Sequence, residues 1–281
     1  MNTLRLYSSL ALAALCAAGV CAAPAQQSSY YQRLRAHNAA MTAVQPSWMG
    51  PLIQSDARLT QGIRLSVSNA YAPGAQVVIY GNNHGVSLIG GNRFQVDFVP
   101  PSFFRNHSAA LRDGFGNAAT QVKYRIASGN AEHGNFAVTA ILSRSFTPGS
   151  YENGMFTGAY GPRLAAGKAF GRFNMQATMG GVLPTGKIAL QGRAVEWNLT
   201  AQAHPSAHLW FNIENNATYN YGGPFDGKTQ NFVTPVAYYV VKRKEWGPTH
   251  PVVAFVTGMQ VATSSFHLNN HNLISEMRML F

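Results

Sequence analysis

From Gln61 onward, hydrophobic and polar residues alternate along most of the chain. Ile63, Leu65 and Val67 alternate with Arg64, Ser66 and Ser68, and Phe94, Val96 and Phe98 with Arg93, Gln95 and Asp97. Thr120, Val122, Tyr124 and Ile126 oppose Gln121, Lys123 and Arg125; Phe136, Val138, Ala140 and Leu142 oppose Thr139 and Ser143. Further on, Phe173, Met175, Ala177 and Met179 oppose Asn174, Gln176 and Thr178. Val195, Trp197, Leu199 and Ala201 oppose Glu196, Asn198, Thr200 and Gln202, and Leu209, Phe211 and Ile213 oppose Trp210, Asn212 and Glu214. A period of two puts successive side chains on opposite faces of a strand. In the final stretch, Leu273, Ser275, Met277, Met279 and Phe281 share one face, and Ile274, Glu276, Arg278 and Leu280 the other. With weaker candidates near 75–81, 159–170, 228–241 and 250–263, the count is about twelve, an even number as single-chain bacterial barrels require.

Alternation alone fits a soluble barrel as well as a membrane one. The polar faces decide between them: they hold many Asn, Gln, Thr and Ser and few Lys or Glu, which suits a confined wet lumen. Charged residues make up 11% of the chain, against about 25% in ordinary soluble domains. Mean hydropathy is near neutral at −0.07, as expected when hydrophobicity is hidden in alternation. The connections also alternate. Those at 128–134, 171–172 and 205–207 are short; those at 100–116, 147–158, 184–193 and 220–227 are longer and rich in Gly, Pro and Asn. Short turns on one side and long loops on the other are the outer-membrane pattern, with the short side periplasmic. The expected fold is all-β: a transmembrane antiparallel β-barrel over 61–281, with a short N-terminal periplasmic or plug segment over 26–60.

The N-terminus supports export. Arg5, the apolar stretch 6–20 and the small residues Ala23-Pro24-Ala25 read as a secretory signal peptide over 1–25. Its removal would take away Cys16 and Cys21, leaving a mature chain without cysteines, suited to an oxidising periplasm. No later apolar run reaches 18 residues, so no spanning helix is expected, and a membrane-embedded chain must then be a closed barrel. Residues 28–42 read as a short helix, broken by Pro46, Gly50 and Pro51. The terminal aromatic Phe281 resembles the C-terminal assembly signal of bacterial outer-membrane barrels.

The stretch Asp113-Gly114-Phe115-Gly116-Asn117-Ala118-Ala119-Thr120-Gln121-Val122-Lys123-Tyr124-Arg125 resembles a strand of the outer-membrane channel family of the phenol-degradation MetA type. The corners Ser145-Phe146-Thr147-Pro148-Gly149 and Val182-Leu183-Pro184-Thr185-Gly186 are similar to that family's Pro-Thr-Gly corners, the first with Thr and Pro exchanged. The resemblance covers roughly 50–281. It implies an outer-membrane barrel and, through the family's inferred role, transport beside pathways for aromatic compounds.

Other chemistry is sparse. Gly181 to Lys187 has the spacing of a phosphate-binding loop, but Ile188 stands where Ser or Thr should hold magnesium, and no helix is expected to follow. The sequons at Asn106, Asn198 and Asn216 carry no meaning in a bacterial protein. A barrel hydrolase acting on lipid is the main rival to a channel, and it needs Ser and His within hydrogen-bond reach. His107 and Ser108 are adjacent and would face opposite ways on a strand; His84 and Ser87 flank a turn; His267, Asn269 and His271 surround one loop. Exposed loop histidines are the simpler reading, and no metal site or cofactor is implied. Tyr71, Tyr80, Phe103, Phe104, Tyr160, Trp197, Tyr219, Tyr221, Tyr238, Tyr239 and Trp246 fit an interfacial aromatic girdle.

The net charge is +11. The basic residues are scattered, with one cluster at Lys242-Arg243-Lys244, so nucleic acid is not the expected partner. The expected partners are outer-membrane lipids, the outer-membrane assembly machinery and a small solute. Arg64, Arg93, Asp97, Lys123, Arg125, Glu196, Glu214, Glu276 and Arg278 are expected to line the lumen and set its electrostatics. The expected function is passive passage of a small solute, hydrophobic or aromatic ones included, through the outer membrane. A non-conducting structural barrel is a further alternative. Thr139 and Thr200, as lumen residues, are expected to tolerate arginine where their lipid-facing neighbours Val138 and Leu199 would not.

Overall fold

The structure, a computed structural model, describes residues 26–72, 74–81, 84–107, 111–147, 153–242 and 252–281. The predicted leader, Trp246 and residues 243–244 of the basic cluster lie outside them. Helix α1 spans Gln26–Ala43, and fifteen strand segments follow. They are β1 (Gly62–Ala72), β2 (Ala75–Tyr80), β3 (Gly85–Ile89), β4 (Phe94–Val99), β5 (Phe103–Asn106), β6 (Gly114–Phe115), β7 (Ala118–Gly129) and β8 (Phe136–Phe146). The remainder are β9 (Ala159–Phe170), β10 (Phe173–Pro184), β11 (Arg193–Ala203), β12 (Leu209–Tyr221), β13 (Thr229–Lys242), β14 (Val252–Ala262) and β15 (His271–Leu280). The last six residues of α1 belong to the same compact unit as the strands, which begins at Asn38.

All neighbours are antiparallel, and the sheet closes on itself. β15 pairs with β14 on one side and with β1 on the other, from Gly62↔Leu280 to Tyr71↔His271. Closure removes the free edges that lipid would leave unsatisfied. The fifteen segments make twelve staves, because the second, third and fourth staves are each interrupted. β1 pairs with β2 over residues 67–72 and with β3 over 62–64; β4 pairs with β7 and β5 with β6. The stretch 100–116, read from sequence as one long loop, therefore contains wall. Pro100 and Pro101 have no N–H to offer a ladder, so pairing lapses there, but Phe103–Asn106 then rejoins β2. Gly85, at φ +151°, permits the break, since a Cβ there would sit 2.2 Å from the Phe98 carbonyl oxygen.

Both ends of the barrel chain, Gly62 and Leu280, lie at one rim. The turns on that rim among the described residues, 90–93, 130–135, 171–172 and 204–208, are short; the nine-residue connection 243–251 lies outside the described residues. The opposite rim carries 107–113, 147–158, 185–192, 222–228 and 263–270, and one tight exception at 73–74. A helical turn, α2 (Ile188–Gln191), does follow the phosphate-loop-like stretch. It is a single turn inside a loop, too short to present a row of free amides to phosphate.

The two faces differ as the alternation requires. Outside stand Phe173 at 65% exposure, Met179 at 64%, Ile213 at 61% and Leu142 at 52%, with Leu65, Phe94, Leu164, Leu199 and Phe255. An apolar belt of this extent has no counterpart on a monomeric soluble protein; its natural complement is hydrocarbon. Inside, residues 44–61 run through the lumen and cover the inner wall. Trp48, Met49, Leu52 and Ala57 pack against Ala137, Ile141, Ala165, Trp210, Val236, Val256 and Ile274. The lumen is thus not purely polar. Two sectors of the inner wall, on β8–β9 and on β12–β15, contribute apolar residues, and they hold the plug by burial worth about 1.5–3 kcal/mol for each large side chain.

Candidate functional site

The lumen wall grips the backbone of the plug. Arg278 and Glu276 alternate inward on β15, as the period of two demands. Arg278 Nε donates to Glu276 Oε1 at 2.6 Å, while its Nη1 and Nη2 reach the Gly50 and Pro51 carbonyls at 2.5 and 2.8 Å. Three staves away, Glu214 on β12 accepts the Leu52 N–H at 2.6 Å and the Ile53 N–H at 3.0 Å. Tyr238 on β13 donates to the Gly50 carbonyl at 3.1 Å and accepts from Asn212 at 2.8 Å. One peptide turn, 50–53, is thereby held by a cation on its carbonyls and an anion on its amides. Charge-assisted bonds of this kind are about twice as strong as neutral ones. Arg64 on β1 completes the cluster 3.8 Å from Glu276.

A second set of contacts holds residues 54–60. Asp56 pairs with Arg58 at 2.7 Å and accepts from Trp48 Nε1 at 3.2 Å. Burial pushes the Asp56 carboxyl up, but Arg58 and Lys123 outweigh it and hold the group well below the usual carboxylate range. Lys123 donates to the Asp56 carbonyl at 3.1 Å, Gln54 to Thr200 at 2.6 Å, and Thr139 to the Ala57 carbonyl. Asp97 accepts from Gln95 at 2.5 Å and Gln121 at 2.6 Å. At the rim of the termini, Arg125 bonds the Met41 carbonyl at 3.0 Å and the Asn92 carbonyl at 2.6 Å. Beside residues 53–56 a cavity of about 120 Å³ is lined by Arg64, Ser87, Asp97, Gln121 and Lys123 and abuts the broken staves at His84 and Gly85. A larger one of about 250 Å³ opens against Trp48, Asn135, Asn174, His204 and Trp210; there His204 stacks on Trp210 at 4.2 Å.

Seven of the nine residues expected in the lumen, Arg64, Asp97, Lys123, Arg125, Glu214, Glu276 and Arg278, meet in these clusters around the plug. Glu196 lies apart, paired with Arg163 on β9 at 2.7 Å. Arg163 was missed because the Gly- and Ala-rich β9 alternates weakly. Its side chain crosses β10 over Gly180, where a Cβ would come within 2.4 Å of Arg163 Cγ. Arg93 is a correction: it is exposed in the turn 90–93, short of the wall. Tyr238 is another, since it belongs to the lumen rather than to the girdle. Thr139 and Thr200 are fully buried against the plug, so they face no open water and have no room for arginine.

For the rival hydrolase, the histidines can be placed. His267 bonds the Ser264 carbonyl at 2.9 Å and Asn270 at 2.8 Å, His133 bonds Asn130, and His271 stacks on Tyr71 on the outer wall. Ser108 lies outside the described residues.

No protein-family model and no curated protein sequence matches the chain. Among solved structures, the chain is similar to an outer membrane channel from Pseudomonas putida F1. The TM-score is 0.52 at 14% identity, over 84% of this chain and 100% of that one. At this identity the likeness is one of fold: a closed antiparallel barrel of twelve staves. Looser likenesses, each with a TM-score of 0.34, are to the outer membrane channel DcaP of Acinetobacter baumannii at 11% identity and to a porin at 14%. They cover 85% and 82% of this chain and 69% and 66% of those proteins.

Proposed function

We propose that this chain is an outer-membrane channel for passive passage of small solutes, with residues 44–61 as its built-in gate. The observation that carries the reading is the way the lumen is filled. The plug is not a wall element but a separate segment, fastened by wall side chains that bond its backbone at 50–53 and 56–57. Such bonds can be exchanged for water when the segment moves, whereas the staves cannot let go without opening the barrel. The charged groups that hold the plug would then face the solute path. The aromatic cavity at Trp48, His204 and Trp210 supports aromatic solutes within the accepted class. Bilayer lipids and the outer-membrane assembly machinery are the partners this reading requires.

Planar-bilayer recording, with a lipase assay on the same preparation, tests it. Small, flickering conductance steps without lipid hydrolysis are expected. Hydrolysis without conductance would favour the enzyme instead, and neither activity would favour a structural barrel.

A further inference from the structure

We propose that the outer wall near the long-loop rim carries a binding site for the phosphate groups of an anionic lipid headgroup, built on Arg144 and Arg193. The apolar face of β8 ends in a cation. Arg144 shares its face with Leu142 and Phe146 and pairs across to Tyr160, which is itself 46% exposed. Its guanidinium lies 4.5 Å from the Tyr160 ring centroid and 5.7 Å from that of Phe146. Gly158 leaves the space it occupies, since a Cβ there would come within 3.1 Å of Nη2. No carboxylate among the described residues lies within ion-pair range. Arg144 Nη1 is shut off from solvent and has no hydrogen-bond partner. A half-buried cation with no carboxylate partner among the described residues, held on a lipid-facing wall, is placed to take an anion from the headgroup layer.

The register supplies a second cation in the same hydrogen-bonded row. Tyr160 pairs with Leu183, Val182 with Ala194, and Arg193 with Tyr221, whose ring centroid is 6.0 Å from the Arg193 guanidinium. Arg144 and Arg193 therefore sit three staves apart in one row, about 14 Å at the usual strand spacing, each backed by a tyrosine. Both arginines sit at the long-loop ends of their strands, Arg144 two residues before the end of β8 and Arg193 at the start of β11, near the headgroup layer where tyrosine rings settle, and planar guanidinium groups match phosphate oxygens in pairs. Two such cations on one row fit a headgroup carrying two phosphates, with its acyl chains lying down the apolar wall below.

The test uses the purified full barrel in detergent, with retained lipid measured by native mass spectrometry. The probes are diphosphoryl lipid A, monophosphoryl lipid A and inorganic phosphate. Folding is checked by the gel shift between heated and unheated samples. The wild type should retain diphosphoryl lipid A more tightly than the monophosphoryl form, and millimolar inorganic phosphate should not displace it. Arg144→Gln with Arg193→Gln should weaken retention by about tenfold or more, the scale of one charged hydrogen-bonding partner. Lys168→Gln, an outward cation at the opposite rim beside Phe170, should leave it unchanged. Equal retention by the folded double variant would overturn the proposal. So would equal loss in Lys168→Gln, or displacement by free phosphate alone.

Discussion

Arg278→Met is the sharpest perturbation of the proposed gate. Arg278 is 1% exposed and makes bonds to Glu276, to the Gly50 carbonyl and to the Pro51 carbonyl. Methionine keeps much of the volume and removes every donor. Breaking a buried ion pair by deleting one partner costs about 3–5 kcal/mol. The Arg64 guanidinium, 3.8 Å from Glu276, moves the expectation to the lower figure. The penalty falls on the docked state, because release of the plug lets water reach Glu276 and both carbonyls. At about 1.4 kcal/mol per decade, a 3 kcal/mol loss raises the released population by about a hundredfold. A reporter cysteine at Ala57, 1% exposed in the docked plug, reads that population through its rate of maleimide labelling. Glu214, Thr139 and Lys123 still hold the segment, so the docked form should persist while the rate rises by about two orders of magnitude. An unchanged rate in folded Arg278→Met barrels would refute the claim that the clamp at 50–53 holds the plug.

Two further outcomes test the faces and the assembly signal. Leu199→Arg and Val138→Arg put a cation into hydrocarbon at about 2–4 kcal/mol each and should reduce the folded, heat-modifiable band. Thr200→Arg and Thr139→Arg should instead leave the barrel folded but speed labelling at position 57, because these side chains touch the plug; equal loss of folded band at both members of each pair would contradict the face assignment. Deleting Phe281 should reduce membrane-inserted protein in fractionated cells, and also remove the bonds of its N–H to the Gln61 carbonyl and of Asn38 to its carbonyl.

What the sequence made legible follows from what alternation encodes. It reports which way a side chain points, so inward Glu214, Glu276 and Arg278 and outward Leu199, Phe211 and Met277 could be separated from the pattern alone. It does not report what lies opposite. The partners of Glu214 are backbone amides about 160 residues earlier in the chain, and nothing in the residues 52–53 themselves announces an anion. For the same reason Thr139 and Thr200 looked solvated when they are packed. The interrupted staves escaped for a local reason: Gly81, Gly85 and the Pro100-Pro101 pair punctuate the pattern like loops, yet the ladder resumes on the far side of each break. Arg163 was hidden among glycines and alanines that blur the period of two, although a lone arginine on a Gly-rich strand facing Glu196 was a readable sign of a cross-strand pair.

In the proposed mechanism a movable plug controls conduction through a membrane-spanning barrel. Planar-bilayer recording of wild type and Arg278→Met side by side reads that control. The prediction is brief, infrequent openings in the wild type and a large rise in open probability in the variant, with the size of each step unchanged. A steady open conductance in the wild type that Arg278→Met does not alter would contradict it.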